Sequence, residues 1–120
     1  MHAIGVDICE NSRVKKAIET QGDRFILKIF TPQEIDYCSS KTESHICYSA
    51  RFAAKEALLK ALGTGLRNDL KWRDIEICND ELGKPFFIFH GKTAEIIDNR
   101  NVLLSISHTS ENAIAFVIIE

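Results

Sequence analysis

No run of apolar residues in this 120-residue sequence approaches the roughly 20 needed to cross a bilayer, so no membrane span is expected. The first residues lack a basic stretch followed by an apolar core and a cleavage site, and the chain is read as cytoplasmic. Positive charge is not in excess: 15 Lys and Arg stand against 17 Asp and Glu, for a net charge of -2. That balance argues against a protein that grips nucleic acid through its overall field, and neither nucleic acid nor membrane is expected as a partner. No Cys-x-x-Cys pair occurs. Cys9, Cys38, Cys47 and Cys78 are scattered, which favours reduced thiols serving as small hydrophobes over a metal or redox centre. Repeats, low-complexity tracts and linkers are absent as well. With 45% apolar residues the chain has enough for a core, and residues 1–120 are read as one domain.

What is present switches between two periods. From His2 to Ile8, Ile4, Val6 and Ile8 alternate with Ala3, Gly5 and Asp7, the pattern of a strand with one apolar face. Asn11 or Ser12 is the expected cap of a first helix that runs to Gln21 and stops at Gly22, and a short helical stretch follows over Arg24 to Ile29. Thr31, Pro32 and Glu34 form a capping-box signature for a helix through about Cys38. A long helix is expected from about Glu43 to Leu62, closed by Gly63. Beyond it the pattern becomes extended. Asp74 to Cys78 and Pro85 to Phe89 flank a turn and read as one hairpin; Val102 to His108 and Ala113 to Ile119 read as another, with a short helix over Lys92 to Asn99 between them. The order implies an α+β fold, a mostly antiparallel sheet packed against one long helix and shorter helices.

Three polar groups stand out on this framework. Asp7 ends the smaller face of the first strand beside Gly5, where a missing side chain lets a ligand or another backbone come close; its ordinary role there is to cap the next helix. In the long helix, Ala54, Ala57, Leu58 and Ala61 make one apolar stripe, and Glu56 and Lys60 lie a turn apart on another face. Small alanines let that helix lie near its neighbour, which would carry Glu56 toward a strand. The plainer alternative is an exposed helix ion pair of small energetic weight. The third group, Ser105-Ile106-Ser107-His108-Thr109, ends a strand with an imidazole between hydroxyls, which is either a ligand contact or a solvated turn.

Taken in order, Ile4-Gly5-Val6-Asp7-Ile8, Arg51-Phe52-Ala53-Ala54-Lys55-Glu56-Ala57 and Ser105-Ile106-Ser107-His108-Thr109 resemble the 4′-phosphopantetheinyl transferases, and among them the short acyl-carrier-protein synthase type. Phe30-Thr31-Pro32-Gln33-Glu34, Gly63-Thr64-Gly65 and Gly83-Lys84-Pro85 extend the resemblance over essentially the whole chain. It implies transfer of 4′-phosphopantetheine from coenzyme A to a serine of an apo-acyl carrier protein, with release of adenosine 3′,5′-bisphosphate, in support of fatty acid biosynthesis.

The resemblance assigns roles by position. Asp7 and Glu56 would hold one Mg²⁺, which takes octahedral oxygen coordination and needs only one or two protein carboxylates. Glu56 would also accept the serine proton, directly or through a water, and Lys60 would face the diphosphate and the departing bisphosphate. Arg51, Lys55, Lys84, Pro85, Ser107, His108 and Thr109 would form the coenzyme A site. Members of this short type are homotrimers with sites at subunit interfaces, so His108 would serve a site whose Asp7 and Glu56 belong to a neighbour. The acidic carrier would dock on the first helices through Arg13, Lys16 and Arg24, with Lys15 and Lys28 nearby. One departure concerns the segment before Arg51. Relatives carry several basic residues there, whereas Lys41-Thr42-Glu43-Ser44-His45 offers Lys41 and His45. Two other classes stay open: a different Mg²⁺-dependent phosphoryl-transfer or nucleotide-hydrolysing enzyme, and a module that binds carrier protein without catalysis.

Overall fold

The computed structural model describes residues 2–67 and 69–120. The opening alternation folds as strand β1 (Ala3–Glu10), followed by helices α1 (Asn11–Gln21) and α2 (Asp23–Ile29). Asn11 does not cap α1. Glu10 occupies the cap position without a side-chain bond, while buried Asn11 donates its amide to the Thr109 carbonyl at 2.9 Å and its backbone N–H to the Glu111 carbonyl at 2.8 Å. Strand passes directly into helix, so the residue suited to a local cap ties α1 to a distant turn instead.

Helix α3 (Pro32–Ser39) starts as its sequence dictates. The Thr31 side chain accepts from the Glu34 N–H, and the Glu34 carboxylate accepts from the Thr31 N–H at 2.9 Å. The long helix α4 (Ser44–Leu62) closes on Gly63, whose φ of 75° is left-handed. A short 3-10 helix (Trp72–Asp74) leads into β2 (Ile75–Asn79), and β3 (Pro85–Phe89), α5 (Gly91–Ile97), β4 (Val102–His108) and β5 (Asn112–Ile119) follow. Helix α5 stops short of the expected Asn99 because Asp98, at φ 58°, leaves helical geometry.

Strands β1, β5 and β4 form one antiparallel sheet with β5 in the middle, and β2 pairs with β3 in a hairpin. The alanine stripe of α4 lies across them. Ala53, Ala54, Ala57 and Leu58 are buried against Ala115, Val117 and Ile119 of β5 and Ile75 and Ile77 of β2. Burying a Leu side chain such as Leu58 contributes about 1.5–3 kcal/mol. A second core forms among Val14, Ile29, Phe30, Cys38 and Tyr48, where α1 to α3 meet α4.

One expectation changes. Cys38 and Cys47 form a disulfide, their Cα atoms 5.4 Å apart, whereas Cys9 and Cys78 are free. Helices α3 and α4 are joined by a short segment, which brings the end of one to the start of the other. The larger apolar face of β1 points outward: Ile4 is 66% exposed and Ile8 64%, beside exposed Ile114 and Phe116 of β5 and Leu103 of β4. Gly5 and Asp7 face α4 instead. Among the described residues no helix is long and apolar enough to cross a membrane.

Candidate active site

Alternation along β1 decides which of its residues meet α4. Buried Gly5 presents bare backbone to Ala57, and half-buried Asp7 follows two positions later on the same face. Half-buried Glu56 and exposed Lys60 rise from α4 on the other side of this seam. The Lys60 ammonium donates to Asp7 Oδ1 at 2.9 Å and to the Val6 carbonyl at 3.2 Å. Lys60 therefore pairs across to the strand, and among the described residues no ion pair joins it to Glu56 within the helix.

The electrostatics of the seam are those of an acid pair short of positive charge. Burial raises the Glu56 carboxyl above its ordinary range, the Asp7 charge pushes the same way, and Lys60 opposes them. A hydrogen bond and the charge of Asp7 raise the Lys60 ammonium. No group of three or more His, Cys, Asp or Glu suited to a metal occurs among the described residues. Two hollows open from it. One of about 970 Å³ is lined by Asp7, Glu56, Arg13, Lys15, Phe25 and Phe52, and one of about 490 Å³ by Glu56, Lys60, Gly63 and Gly65. Glu56 is their shared wall.

A third cavity, of about 480 Å³, shares no lining residue with either. Lys41, Arg51, Pro85 and His108 line it, so three expected coenzyme A residues do meet. Arg51 is 4% exposed, donates to Asn79 Oδ1 at 2.7 Å and stacks 4.4 Å from the centre of the Tyr37 ring; its Nε has no partner. Lys41 covers the same ring at 4.5 Å. Lys41 thus joins this cavity, whereas His45 lines the hollow of about 970 Å³.

Other predicted residues fall differently. Lys55 does not reach a ligand surface: it is fully buried, and its ammonium donates to Glu34 Oε1 at 2.7 Å, the Ile29 carbonyl at 2.7 Å and the Trp72 carbonyl at 3.1 Å. Five positions separate Glu56 from Arg51, and Lys55 occupies a face between them that the neighbouring elements close. Lys84 is exposed in the β2–β3 turn, between the cavity-lining Gly83 and Pro85. Ser107 and Thr109 are exposed beside His108, but the Thr109 hydroxyl accepts from the Glu111 and Asn112 N–H groups and so holds the β4–β5 turn. Arg13, Lys16 and Arg24 are exposed, as are Lys15 and Lys28.

The sequence reading missed the hub behind Lys55. Glu34 Oε2 accepts from the Ile77 N–H at 2.9 Å, Thr31 donates its hydroxyl to Glu76, and His90 Nε2 lies 3.0 Å from Glu76 Oε1. Burial works against the Glu76 carboxylate, but bonds from Thr31 and His90 outweigh it and hold the carboxyl below its ordinary range. Of these only the Thr31 and Glu34 pairing left a signal in the sequence. Tyr37 left no such signal, because Lys41 lies beyond the end of α3 and reaches the ring from the loop.

The 4′-phosphopantetheinyl transferase superfamily model matches residues 3–117. A holo-[acyl-carrier-protein] synthase of Koribacter versatilis is 45% identical over 119 residues, covering 97% of this chain and 95% of that one. The crystal structure of holo-[acyl-carrier-protein] synthase from Neisseria meningitidis superposes with a TM-score of 0.88 at 36% identity, covering 98% of this chain and 97% of that one. The Bacillus anthracis holo-(acyl-carrier-protein) synthase in complex with CoA (3′,5′-ADP) gives a TM-score of 0.81, also at 36% identity, covering 98% and 94%. The match over nearly the whole chain and the identity to these relatives show that the chain belongs to the 4′-phosphopantetheinyl transferase superfamily.

Proposed function

We propose that this protein transfers the 4′-phosphopantetheine arm of coenzyme A to a serine of an apo-acyl carrier protein, releasing adenosine 3′,5′-bisphosphate, and that it does so in the cytoplasm in support of fatty acid biosynthesis. The observation that carries the reading is the seam itself, where Asp7 and Glu56 face each other's charge and Lys60 already supplies a cation to Asp7. Relatives named as synthases of holo-acyl carrier protein and a relative solved with CoA (3′,5′-ADP) support the choice of substrates.

The residues fit Mg²⁺. Two carboxylates that repel, one of them drawing an ammonium to itself, favour a divalent cation, and two are enough for an ion that keeps several waters. When bound, Mg²⁺ offsets the negative charge of the diphosphate oxygens. Glu56 takes the proton that the carrier serine loses as it attacks the β-phosphorus, and a carboxyl held above its ordinary range is better matched to that task. Lys60, on a mobile stem with 56% of its side chain exposed, turns from Asp7 to the leaving bisphosphate and stabilises its charge.

The active assembly is a homotrimer with shared sites. Its support is twofold: an exposed apolar sheet face of Ile4, Val6, Ile8, Ile114 and Phe116, and the separation of the Arg51 and His108 cavity from the acid seam. Burying that face between subunits lets His108 and Arg51 of one subunit complete a site whose Asp7 and Glu56 come from the next. Arg13, Lys16 and Arg24 on α1 and α2 present positive charge to an acidic carrier beside the hollow that Asp7 and Glu56 line.

Incubation with coenzyme A, Mg²⁺ and an apo-carrier tests the reading by mass spectrometry of the carrier. Gain of the phosphopantetheine mass is expected. Coenzyme A hydrolysis without transfer would replace this reading with a hydrolase, and carrier binding without turnover with a silent docking module.

A further inference from the structure

The segment between α3 and α4 is fastened at both ends. Cys38, fully buried at the end of α3, is bonded to half-buried Cys47 at the start of α4, nine positions on. The enclosed loop carries Lys41 and Glu43 into the same cavity that Cys47, Arg51 and His108 line. Cys47 Sγ lies 3.9 Å from an Arg51 guanidinium nitrogen. One sulfur is thus shielded, while the other belongs to the wall of a cavity and sits beside a fixed positive charge.

These features differ from those of a plain structural staple. A guanidinium next to sulfur stabilises the thiolate, which makes Cys47 a good leaving group in thiol exchange. In a cytosolic protein, persistent disulfides are uncommon and those that occur are usually redox-responsive. We propose that Cys38 and Cys47 form a reversible dithiol–disulfide site that sets how tightly the cavity holds the nucleotide end of coenzyme A. This rests on the transferase reading above for the identity of the ligand. The cysteines themselves take no part in that reaction.

The exchange partner is a dithiol reductant. One of its thiolates attacks Cys47 Sγ from the cavity, the S–S bond breaks, and its electron pair passes to Cys38 Sγ, which takes up a proton. The second thiol then gives its proton to solvent and displaces Cys47 as a thiolate, leaving a Cys38 thiol, a Cys47 thiolate beside Arg51 and the reductant oxidised to its disulfide. Two electrons move in all. Opening the link removes a constraint on the loop, so Lys41 and Glu43 must be ordered by the ligand, and binding weakens.

The test compares the whole protein in oxidised form with the same protein treated with dithiothreitol, using adenosine 3′,5′-bisphosphate as the probe because it carries no thiol of its own. Peptide mapping under non-reducing conditions should give a Cys38–Cys47 linked pair, with Cys9 and Cys78 open to alkylation in both forms. Calorimetry should show several-fold weaker bisphosphate binding after reduction, and bound bisphosphate should slow that reduction by covering Cys47. A variant carrying Cys38→Ser and Cys47→Ser should bind as weakly as the reduced protein under either condition. Failure to find the linked pair after mild oxidation overturns the site. Equal affinity in both redox forms overturns the control of binding. If neither form binds the bisphosphate, the ligand assignment and the control of its binding both fall, while the peptide map still decides whether the redox pair exists.

Discussion

A β-carbon placed on Gly5 would lie 2.0 Å from the carbonyl oxygen of Ala57, so β1 and α4 meet there backbone against backbone. That contact sets the width of the active-site seam. Lys60, three residues beyond Ala57, spans it to Asp7 because nothing bulkier than a glycine holds strand and helix apart.

Gly5→Ala is therefore expected to act on stability and activity together. The added methyl meets backbone that cannot rotate away, and the overpacking should cost about 1–3 kcal/mol, or more if the strand shifts. Urea denaturation and carrier modification measure the two effects. A variant with unchanged midpoint and turnover would show that the seam tolerates a wider gap.

Asp7→Ala and Glu56→Gln should each lower transfer by about 100-fold or more, the scale of losing an electrostatic group at the reacting centre. Folding should survive, because Asp7 and Glu56 are only half-buried and the Lys60 end of the pair with Asp7 is open to solvent. Near-normal turnover in either variant, with an intact thermal melt, would remove that acid from the proposed site.

The proposed Mg²⁺ site would set proton and metal in competition for Glu56. Its carboxyl, raised mainly by burial and further by Asp7, stays protonated to higher pH than an ordinary glutamate, and the protonated form is a poor ligand. Mg²⁺ affinity should fall as pH drops through that raised value, with proton release accompanying binding near it. Calorimetric titration with MgCl₂ in buffers of different ionisation enthalpy reads both. Affinity independent of pH across the acidic range would contradict the assignment.

Lys55 should matter for folding. Replacing it with Met leaves the Glu34 carboxylate buried with two backbone N–H donors and no cation, a loss of about 3–5 kcal/mol. Adding Glu34→Gln to that variant should recover part of the loss by removing the stranded charge. Chemical denaturation of the single and double variants measures it, and a single variant as stable as the parent would show that the buried pair is dispensable.

Subunits with complementary lesions offer the clearest view of shared sites. Glu56→Gln and His108→Ala proteins, each weak alone, should regain transfer when unfolded together and refolded into mixed copies of the proposed assembly, since some interfaces would then hold both native groups. Activity that stays at the level of the separate variants would place all catalytic groups within one subunit. Phe116→Glu, on the exposed sheet face, should yield a smaller species in sedimentation.

Local chemistry explains which features could be read from the chain. Thr31 and Glu34 sit within a single turn, so the capping box followed from spacing alone, and Gly63 ended α4 for a reason confined to its own backbone angle. Glu34 also showed the limit of such reading: its bonds to Lys55 and the Ile77 N–H cross 21 and 43 positions. The disulfide escaped for a related cause. Cysteine spacing shows no more than the length of chain between two sulfurs, whereas the packing of α3 beside α4 makes them neighbours.

By itself the sequence determined the order of strands and helices and the side of β1 and of α4 on which Asp7 and Glu56 lie, because alternation and helical pitch are properties of a few adjacent residues. Only the tertiary structure decided that Lys60 reaches Asp7 across 53 positions, that Lys55 is sealed inside while Arg51 opens on a separate cavity, and that the richer apolar face of β1 looks outward. The physical reason is the same in each case. Burial depends on what covers a face, and what covers it comes from parts of the chain that no local pattern specifies.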